Sequence, residues 1–159
     1  MVNVNWLTGI DLDRLIAKNA DADTHAAFIG VYAVDTLPVR ISHLPALLIV
    51  NSDTSNLAGK HWRAIHIDAN RRGEIFDSLA VPVSPFLEAW LNSVTDKWTC
   101  SETVIQHPLL PSCGAYVLHF VLRRLSVSNL KQYTCTYYTA GLFSKNEAVI
   151  RNFVRSLKK

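Results

Sequence analysis

Blocks of apolar and polar positions along the chain predict both helices and short strands. In residues 7–19 the apolar positions recur at helical spacing, and Thr8 or Asp11 is the expected N-cap. The polar residues 21–24 predict a loop. Two short β-prone runs then predict strands, at residues 28–34 and 46–51. The second run is apolar throughout, which is typical of a strand buried on both faces.

A β-hairpin is predicted in the middle of the chain. The β-prone residues 61–68 lead into a turn signal at residues 70–73, and residues 74–79 form the expected return strand. A hairpin of this length places His61 and Asp77 at the same end of two adjacent strands. These two side chains are therefore expected to lie close together in space.

The second half of the chain predicts a longer series of helices. Ser84 and Pro85 have the types expected at the N-cap and first position of a helix, and Ser144 begins a capping-box pattern. Residues 115–125 predict a buried helix and residues 145–157 a terminal helix. Residues 129–138 form either a short helix or a turn-rich connection. Residues 100–106, by contrast, are β-prone. The overall class is α+β, with a small mixed central sheet and a buried central helix flanked by other helices.

Composition limits the classes of protein. The chain has 159 residues, 49% hydrophobic and 18% charged, which predicts a single globular domain over residues 1–159. We expect a soluble, non-secreted monomer, since no apolar run is long enough to span a membrane and no signal-peptide pattern begins the chain. Three cysteines without metal-ligand spacing predict no metal site. The net charge of +3 permits contact with nucleic acid without requiring it.

The segment from Gln106 to Gly114 contains the strongest candidate for chemistry. Two prolines stiffen it, and Cys113 is expected on the first turn of the buried helix. Backbone N–H groups and the helix dipole favour a thiolate at that position. A cysteine that only packs in the core is the alternative. Gly114 would let a substrate backbone approach the sulfur.

Other residues supply what a cysteine nucleophile requires. His61 can act as its base and Asp77 can orient that base. Gln106, seven residues before Cys113, can join the Cys113 backbone N–H in an oxyanion hole. Four suitable residue types at ends of predicted elements form a stronger signal than one cysteine.

The order His, acid, Gln, Cys resembles that of the adenain-like cysteine proteases, the maturation proteases of adenoviruses and related elements, in the same clan as the SUMO-specific proteases. The matching segments are residues 59–62, 76–79 and 106–114, within a resemblance that covers roughly residues 28–125. It implies that His61, Asp77, Gln106 and Cys113 are catalytic, that Gln106 and Cys113 form the oxyanion hole, and that Trp62 shields the site. Trp62 and Gly114 are the expected substrate-groove residues.

The resemblance also implies a biological setting. The expected activity is cleavage of capsid or core precursors at Gly-Gly or Gly-x-Gly sites during virion maturation of a double-stranded DNA virus or virus-like element, in the host nucleus or cytoplasm and the virion. No metal or organic cofactor is expected. An activating peptide and non-specific DNA are expected partners of such enzymes, with Cys100 as a tether or, alternatively, an edge-strand cysteine without special role.

Two alternatives remain open at this point. One is a protease that removes SUMO or ubiquitin-like proteins, since the same site accepts a Gly-Gly tail. The other is a catalytically silent relative that binds DNA or capsid proteins. For DNA contact the basic residues of the last helix are either a binding face or an ordinary solvated face, namely Arg151, Arg155, Lys158 and Lys159.

Overall fold

The computed structural model describes residues 6–158. Residues 1–5 and Lys159 of the predicted domain lie outside the described residues. The helices are α1 (Gly9–Asn19), α2 (Ala22–Ala27), α3 (Pro85–Val94), α4 (Cys113–Arg123), α5 (Leu130–Tyr137) and α6 (Phe143–Ser156). The strands are β1 (Phe28–Ala33), β2 (Ala46–Asn51), β3 (Trp62–Ile67), β4 (Arg72–Phe76) and β5 (Lys97–Cys100).

The strands form one mixed sheet in the order β1-β2-β3-β4-β5. The outer pairs β1–β2 and β4–β5 are parallel, whereas β2–β3 and β3–β4 are antiparallel. Every residue of β2 is buried, as its continuous apolar pattern predicts. Leu47 and Ile49 pack on one face of the sheet, and Leu48 and Val50 pack on the other.

Helix α4 is the buried helix at the centre of the larger core. Residues 113–121 are all buried, and the helix packs between the sheet and helices α1 and α6. The opposite face of the sheet is covered by α3 through Leu87, Leu91 and Val94. This α+β arrangement is the predicted fold class, with Cys113 at the start of the central helix.

Near the N-terminus, the predicted loop at residues 21–24 is wrong. Asp21 caps α2, because its carboxylate accepts a hydrogen bond of 2.8 Å from the Thr24 backbone N–H. Of the two proposed caps for α1, Thr8 is the N-cap. Asp11 completes the capping box by accepting from the Thr8 backbone N–H.

Two later boundaries also differ from prediction. The strand expected at 100–106 lies instead at β5, where the turn after α3 brings Lys97 beside β4. The backbone N–H groups of Ile105 and Gln106 donate to the Ser78 carbonyl rather than to a strand partner. Ser144 does not cap α6, since that helix begins at Phe143 and Glu147, the reciprocal member of the expected capping box, points into the core.

The undecided segment at 129–138 forms helix α5. Asn129 is its N-cap and accepts a hydrogen bond of 2.9 Å from the Gln132 backbone N–H. The predicted hairpin is present, and its return strand begins at Arg72. Asp68 closes the turn by accepting from the backbone N–H groups of Asn70 and Arg72.

Candidate active site

The β3–β4 hairpin brings His61 and Asp77 together just beyond the ends of their strands. Ala64 pairs with Phe76 in the antiparallel ladder, so the residues that extend past this end lie side by side. His61 Nε2 lies 2.7 Å from Asp77 Oδ1. The second ring nitrogen, Nδ1, is thereby left to face Cys113.

Asp77 is fully buried and its carboxylate has several partners. In addition to His61, its Oδ1 accepts a hydrogen bond of 2.8 Å from the Leu79 backbone N–H, and its Oδ2 accepts one of 2.8 Å from Arg63 Nε. Burial would raise the pKa of Asp77, but the bond and charge of His61, the Leu79 N–H and the Arg63 guanidinium together lower it. Asp77 is therefore held as a carboxylate of fixed orientation.

Arg63 is a residue of the site that the sequence analysis missed. Its side chain is 5% exposed, and it also donates to the carbonyls of Val81 and Pro82. The signal that could have revealed it is an arginine within an otherwise apolar strand, because a buried guanidinium requires an anionic partner. Arg63 fixes the side of the Asp77 carboxylate that His61 does not use.

His61 is held in an environment that favours its charged form. Burial lowers its pKa, but hydrogen bonds to Asp77 and Cys113, together with the negative charges of these groups, raise the pKa to about 9. Cys113 is thus the second group that acts on the ring, after Asp77. The pair has the form of an activated cysteine nucleophile with its base.

Cys113 is the first residue of α4 and is 8% exposed. The first backbone N–H groups of a helix have no partner within the helix, and they point toward the region in front of it. These groups can therefore donate to an oxygen that develops negative charge beside the sulfur.

Gln106 is buried and its amide is oriented by two hydrogen bonds. Its Oε1 accepts one of 2.6 Å from Ser78 Oγ, and its Nε2 donates to the Leu110 carbonyl. Ser78 is thus a second residue that sequence reasoning missed, since it sets which way the amide faces. A primary amide carries two N–H groups, so one remains for another acceptor.

A groove of about 530 Å³ runs up to Cys113. Trp62 and Gly114, the two expected groove residues, both line it, together with Trp6 and Leu7. Trp62 is fixed by a hydrogen bond of 3.0 Å from its Nε1 to the Leu7 carbonyl. A Cβ on Gly114 would lie 3.0 Å from Leu7 Cβ and 3.4 Å from Trp62 Cδ1, so these two side chains pack closely against the residue that follows Cys113.

The other two cysteines are not part of this site, and no metal site is found in the described residues. Within residues 6–158, no group of three or more His, Cys, Asp or Glu side chains could hold a metal ion. Cys100 is a free, partly buried thiol on the edge strand β5, and Cys135 is free and exposed. No helix in this described range has both the length and the apolar character needed to cross a membrane.

Comparison with solved structures finds several proteases of similar fold. The ASFV pS273R protease superposes with a TM-score of 0.67 at 15% identity, over 92% of this chain and 67% of that one. The SUMO protease Ulp1 gives a TM-score of 0.51 at 13% identity, over 96% and 80% of the two chains. ChlaDub1 from Chlamydia trachomatis gives 0.51 at 19% identity, over 69% and 60%.

Sequence comparison is less informative than structure for this chain. No protein-family model matches it, and no curated protein matches it. The fold similarity nevertheless agrees with the resemblance of the motifs around His61, Asp77 and Cys113. The chain therefore has an α+β fold similar to the SUMO-protease-like fold.

Proposed function

We propose that this protein is a cysteine endopeptidase in which Cys113 is the nucleophile and His61 is the general base and then acid. Asp77 orients His61, and Gln106 donates to the oxyanion. One observation supports the proposal above the others: His61 is hydrogen-bonded to a buried carboxylate and lies close enough to Cys113, at the start of a helix beside a groove, for Cys113 to help raise its pKa.

The reaction follows from this arrangement. The Cys113 thiol gives its proton to His61, and the sulfur attacks the substrate carbonyl carbon while the carbonyl electrons move to oxygen. The Gln106 amide and the Cys113 backbone N–H stabilise that oxyanion. Collapse breaks the C–N bond, and His61 protonates the leaving amine. Water then attacks the thioester carbon while His61 takes its proton. Collapse of this second intermediate breaks the C–S bond, the acid product leaves, and His61 returns the proton to the Cys113 sulfur.

The close packing of Leu7 and Trp62 around Gly114 favours substrates with little side chain next to the scissile bond. With Leu7 and Trp62 packed against Gly114, a Gly-Gly or Gly-x-Gly sequence fits better than a bulky one. We assign capsid or core precursors of a double-stranded DNA virus or virus-like element as the natural substrates. Similarity to the ASFV protease supports this assignment over a cellular substrate.

Several accompanying features belong to the same proposal. The chemistry uses a thiol and an imidazole and draws on no metal or organic cofactor. The enzyme is a single-domain monomer that acts in the host nucleus or cytoplasm and in the virion. An activating peptide and non-specific DNA are its proposed regulators, and binding to DNA through basic residues would weaken steeply with added salt.

A second candidate function is removal of a SUMO-like or ubiquitin-like protein. The fold similarity to SUMO protease Ulp1 favours it, and the same groove would accept a Gly-Gly tail. A vinyl-sulfone probe built on a ubiquitin-like protein separates the two activities. Labelling of Cys113 by this probe, with no cleavage of short peptides, would favour the second function.

The decisive experiment compares Cys113→Ala with Cys135→Ala on fluorogenic peptides that contain Gly-Gly and Gly-x-Gly. Cys135 is an exposed free thiol and is the matched control. We expect Cys113→Ala to lose all cleavage while keeping its melting temperature, and Cys135→Ala to remain active. Activity retained in a folded Cys113→Ala protein would eliminate the proposed mechanism. If Cys113 of the wild type is alkylated no faster than a free thiol, and the protein neither cleaves peptides nor reacts with the probe, the silent relative that binds DNA or capsid proteins is favoured instead.

A further inference from the structure

Glu147 is a buried carboxylate that the proposed reaction does not use. It lies on α6 and is 5% exposed, although glutamate is among the residues least often buried. Its Oε1 accepts three hydrogen bonds of 3.1 Å, from the His107 backbone N–H, from Ser112 Oγ and from Tyr116 OH. The Glu147 side chain therefore anchors three other residues to α6, namely His107, Ser112 and Tyr116.

The positions of the donors relative to the proposed site are informative. His107 directly follows Gln106, and Ser112 directly precedes Cys113. One oxygen atom therefore ties together the two ends of the loop that separates the proposed oxyanion donor from the proposed nucleophile. The third donor, Tyr116, lies one turn into α4, so the same oxygen also fixes the loop to the helix.

The neighbouring residue strengthens this anchor from the same helix. Asn146 is 1% exposed, and its Nδ2 donates to the Ile105 carbonyl at 2.9 Å. The Asn146 side chain also bonds the backbone of Thr139 twice: its Oδ1 accepts from the Thr139 N–H, and its Nδ2 donates to the Thr139 carbonyl. Residues 105, 107 and 112 are thus all bonded to two consecutive side chains of α6, which serves as a rigid base for the loop.

We propose that Glu147 is a positioning residue that holds the backbone between Gln106 and Cys113 in the geometry needed to bind the oxyanion. This inference rests on the proposed function, because an oxyanion forms only if Cys113 attacks a carbonyl. Glu147 touches neither Gln106 nor Cys113 through its side chain, and it acts through the backbone on either side of them. Displacement of a catalytic donor by about 1 Å is sufficient to slow a reaction about 100-fold.

If Glu147 positions the oxyanion-binding backbone, its loss should slow peptide cleavage much more than alkylation of Cys113. A residue that only stabilises the fold would not separate the two rates. Alkylation of Cys113 by iodoacetamide requires an activated sulfur but creates no oxyanion, whereas peptide cleavage requires both. We expect Glu147→Ala to lower kcat about 100-fold, to change KM by less than about threefold, and to leave the alkylation rate within about twofold of wild type. Glu147→Gln keeps an oxygen that can accept the same bonds, and it should retain kcat within about tenfold of wild type.

Glu74→Gln is the matched control. Glu74 is also a largely buried carboxylate that accepts a backbone N–H, from Leu130 at 2.8 Å, but it pairs with Arg124 and does not contact the loop. This variant should lower stability without changing the ratio of cleavage to alkylation. If Glu147→Ala lowers cleavage and alkylation by the same factor, the positioning role is overturned.

Amide hydrogen exchange tests the anchor even without a substrate. In Glu147→Ala the amides of residues 105–112 should exchange at least about tenfold faster than in wild type, and those of α3 should not change. Unchanged exchange in the loop would overturn the inference whatever the activity. If Glu147→Ala does not fold, the ratio of the cleavage rate to the alkylation rate is compared between Glu147→Gln and Glu74→Gln. If Cys113 of the wild type is alkylated no faster than a free thiol while the loop of Glu147→Ala exchanges faster, the proposed function fails and the structural anchor stands.

Discussion

The pairing of His61 with Asp77 yields the sharpest prediction, for the variant Asp77→Asn. The pKa of His61 is raised from its usual 6.5 to about 9, and the difference corresponds to about 3 kcal/mol in favour of the charged ring. Burial opposes this shift, and Asp77 provides the leading favourable contribution, by its hydrogen bond and by its charge. Asparagine has nearly the same shape and can still accept from Leu79, but it carries no charge.

We therefore expect the pKa of His61 in Asp77→Asn to fall well below 9, because burial lowers this pKa and Cys113 alone is then left to raise it. The assay is an NMR titration of the ring protons over about pH 5–10, with His61→Gln used to assign the signal. Glu74→Gln is the control, since Glu74 contacts the His66 ring at 3.4 Å rather than His61, and this substitution should leave the His61 titration as in wild type. A His61 signal that still titrates near 9 in Asp77→Asn would refute the reasoning.

The same shift sets how stability and activity depend on pH. A raised histidine pKa contributes stability that is fully present below 6.5 and is lost as the pH rises through about 9. In Asp77→Asn most of this alkaline loss should disappear, as urea unfolding at pH 6 and 10 would measure. Because protonated His61 must protonate the leaving amine, kcat/KM of wild type should decline above about pH 9, and the decline in the variant should begin at lower pH.

Three further substitutions test other parts of the site. Arg63→Met removes one of the two cations that pair with the buried Asp77 carboxylate and leaves only His61, and urea unfolding should show a loss of up to about 3 kcal/mol. Gly114→Ala places a Cβ 3.0 Å from Leu7 Cβ, and kcat/KM for a Gly-Gly peptide should fall at least about tenfold while iodoacetamide still reacts; unchanged kcat/KM would mean that substrates bind elsewhere. Gln106→Ala should lower kcat about 100- to 1,000-fold with little change in KM, and an unaffected kcat would remove Gln106 from the oxyanion hole.

Local patterns predicted much of the secondary structure because they depend on neighbours in the chain. The apolar run of β2 and the Ser84–Pro85 start of α3 needed no tertiary information. The strand at 97–100 was missed because an edge strand depends on its partner, and β5 is stabilised by parallel pairing with β4. Residues 103–105 have β-prone side chains, but the Ile105 backbone bonds to the Ser78 carbonyl and to the Asn146 side chain on α6 instead of to a strand.

Residue types and their order pointed to the site, since a nucleophile, base, acid and amide at element ends form a recognisable set. The contacts that orient these four residues join distant parts of the chain, and no local sequence pattern predicts them. Arg63 looked like one polar residue in a strand, and Glu147 looked like half of a capping box at the surface. Both proved to be buried partners of the site only when the packing of the sheet and α6 was known.

The sequence by itself determined the α+β class, the buried central helix and the hairpin that brings His61 to Asp77, because hydrophobic periodicity and turn residues act over short distances. Only the tertiary structure decided how the Asp77 carboxylate is held and which helix supports the loop before Cys113. Those contacts join residues that are 14 and about 40 positions apart. Buried charges obtain their partners from whichever elements pack beside them, and that packing is a property of the whole fold.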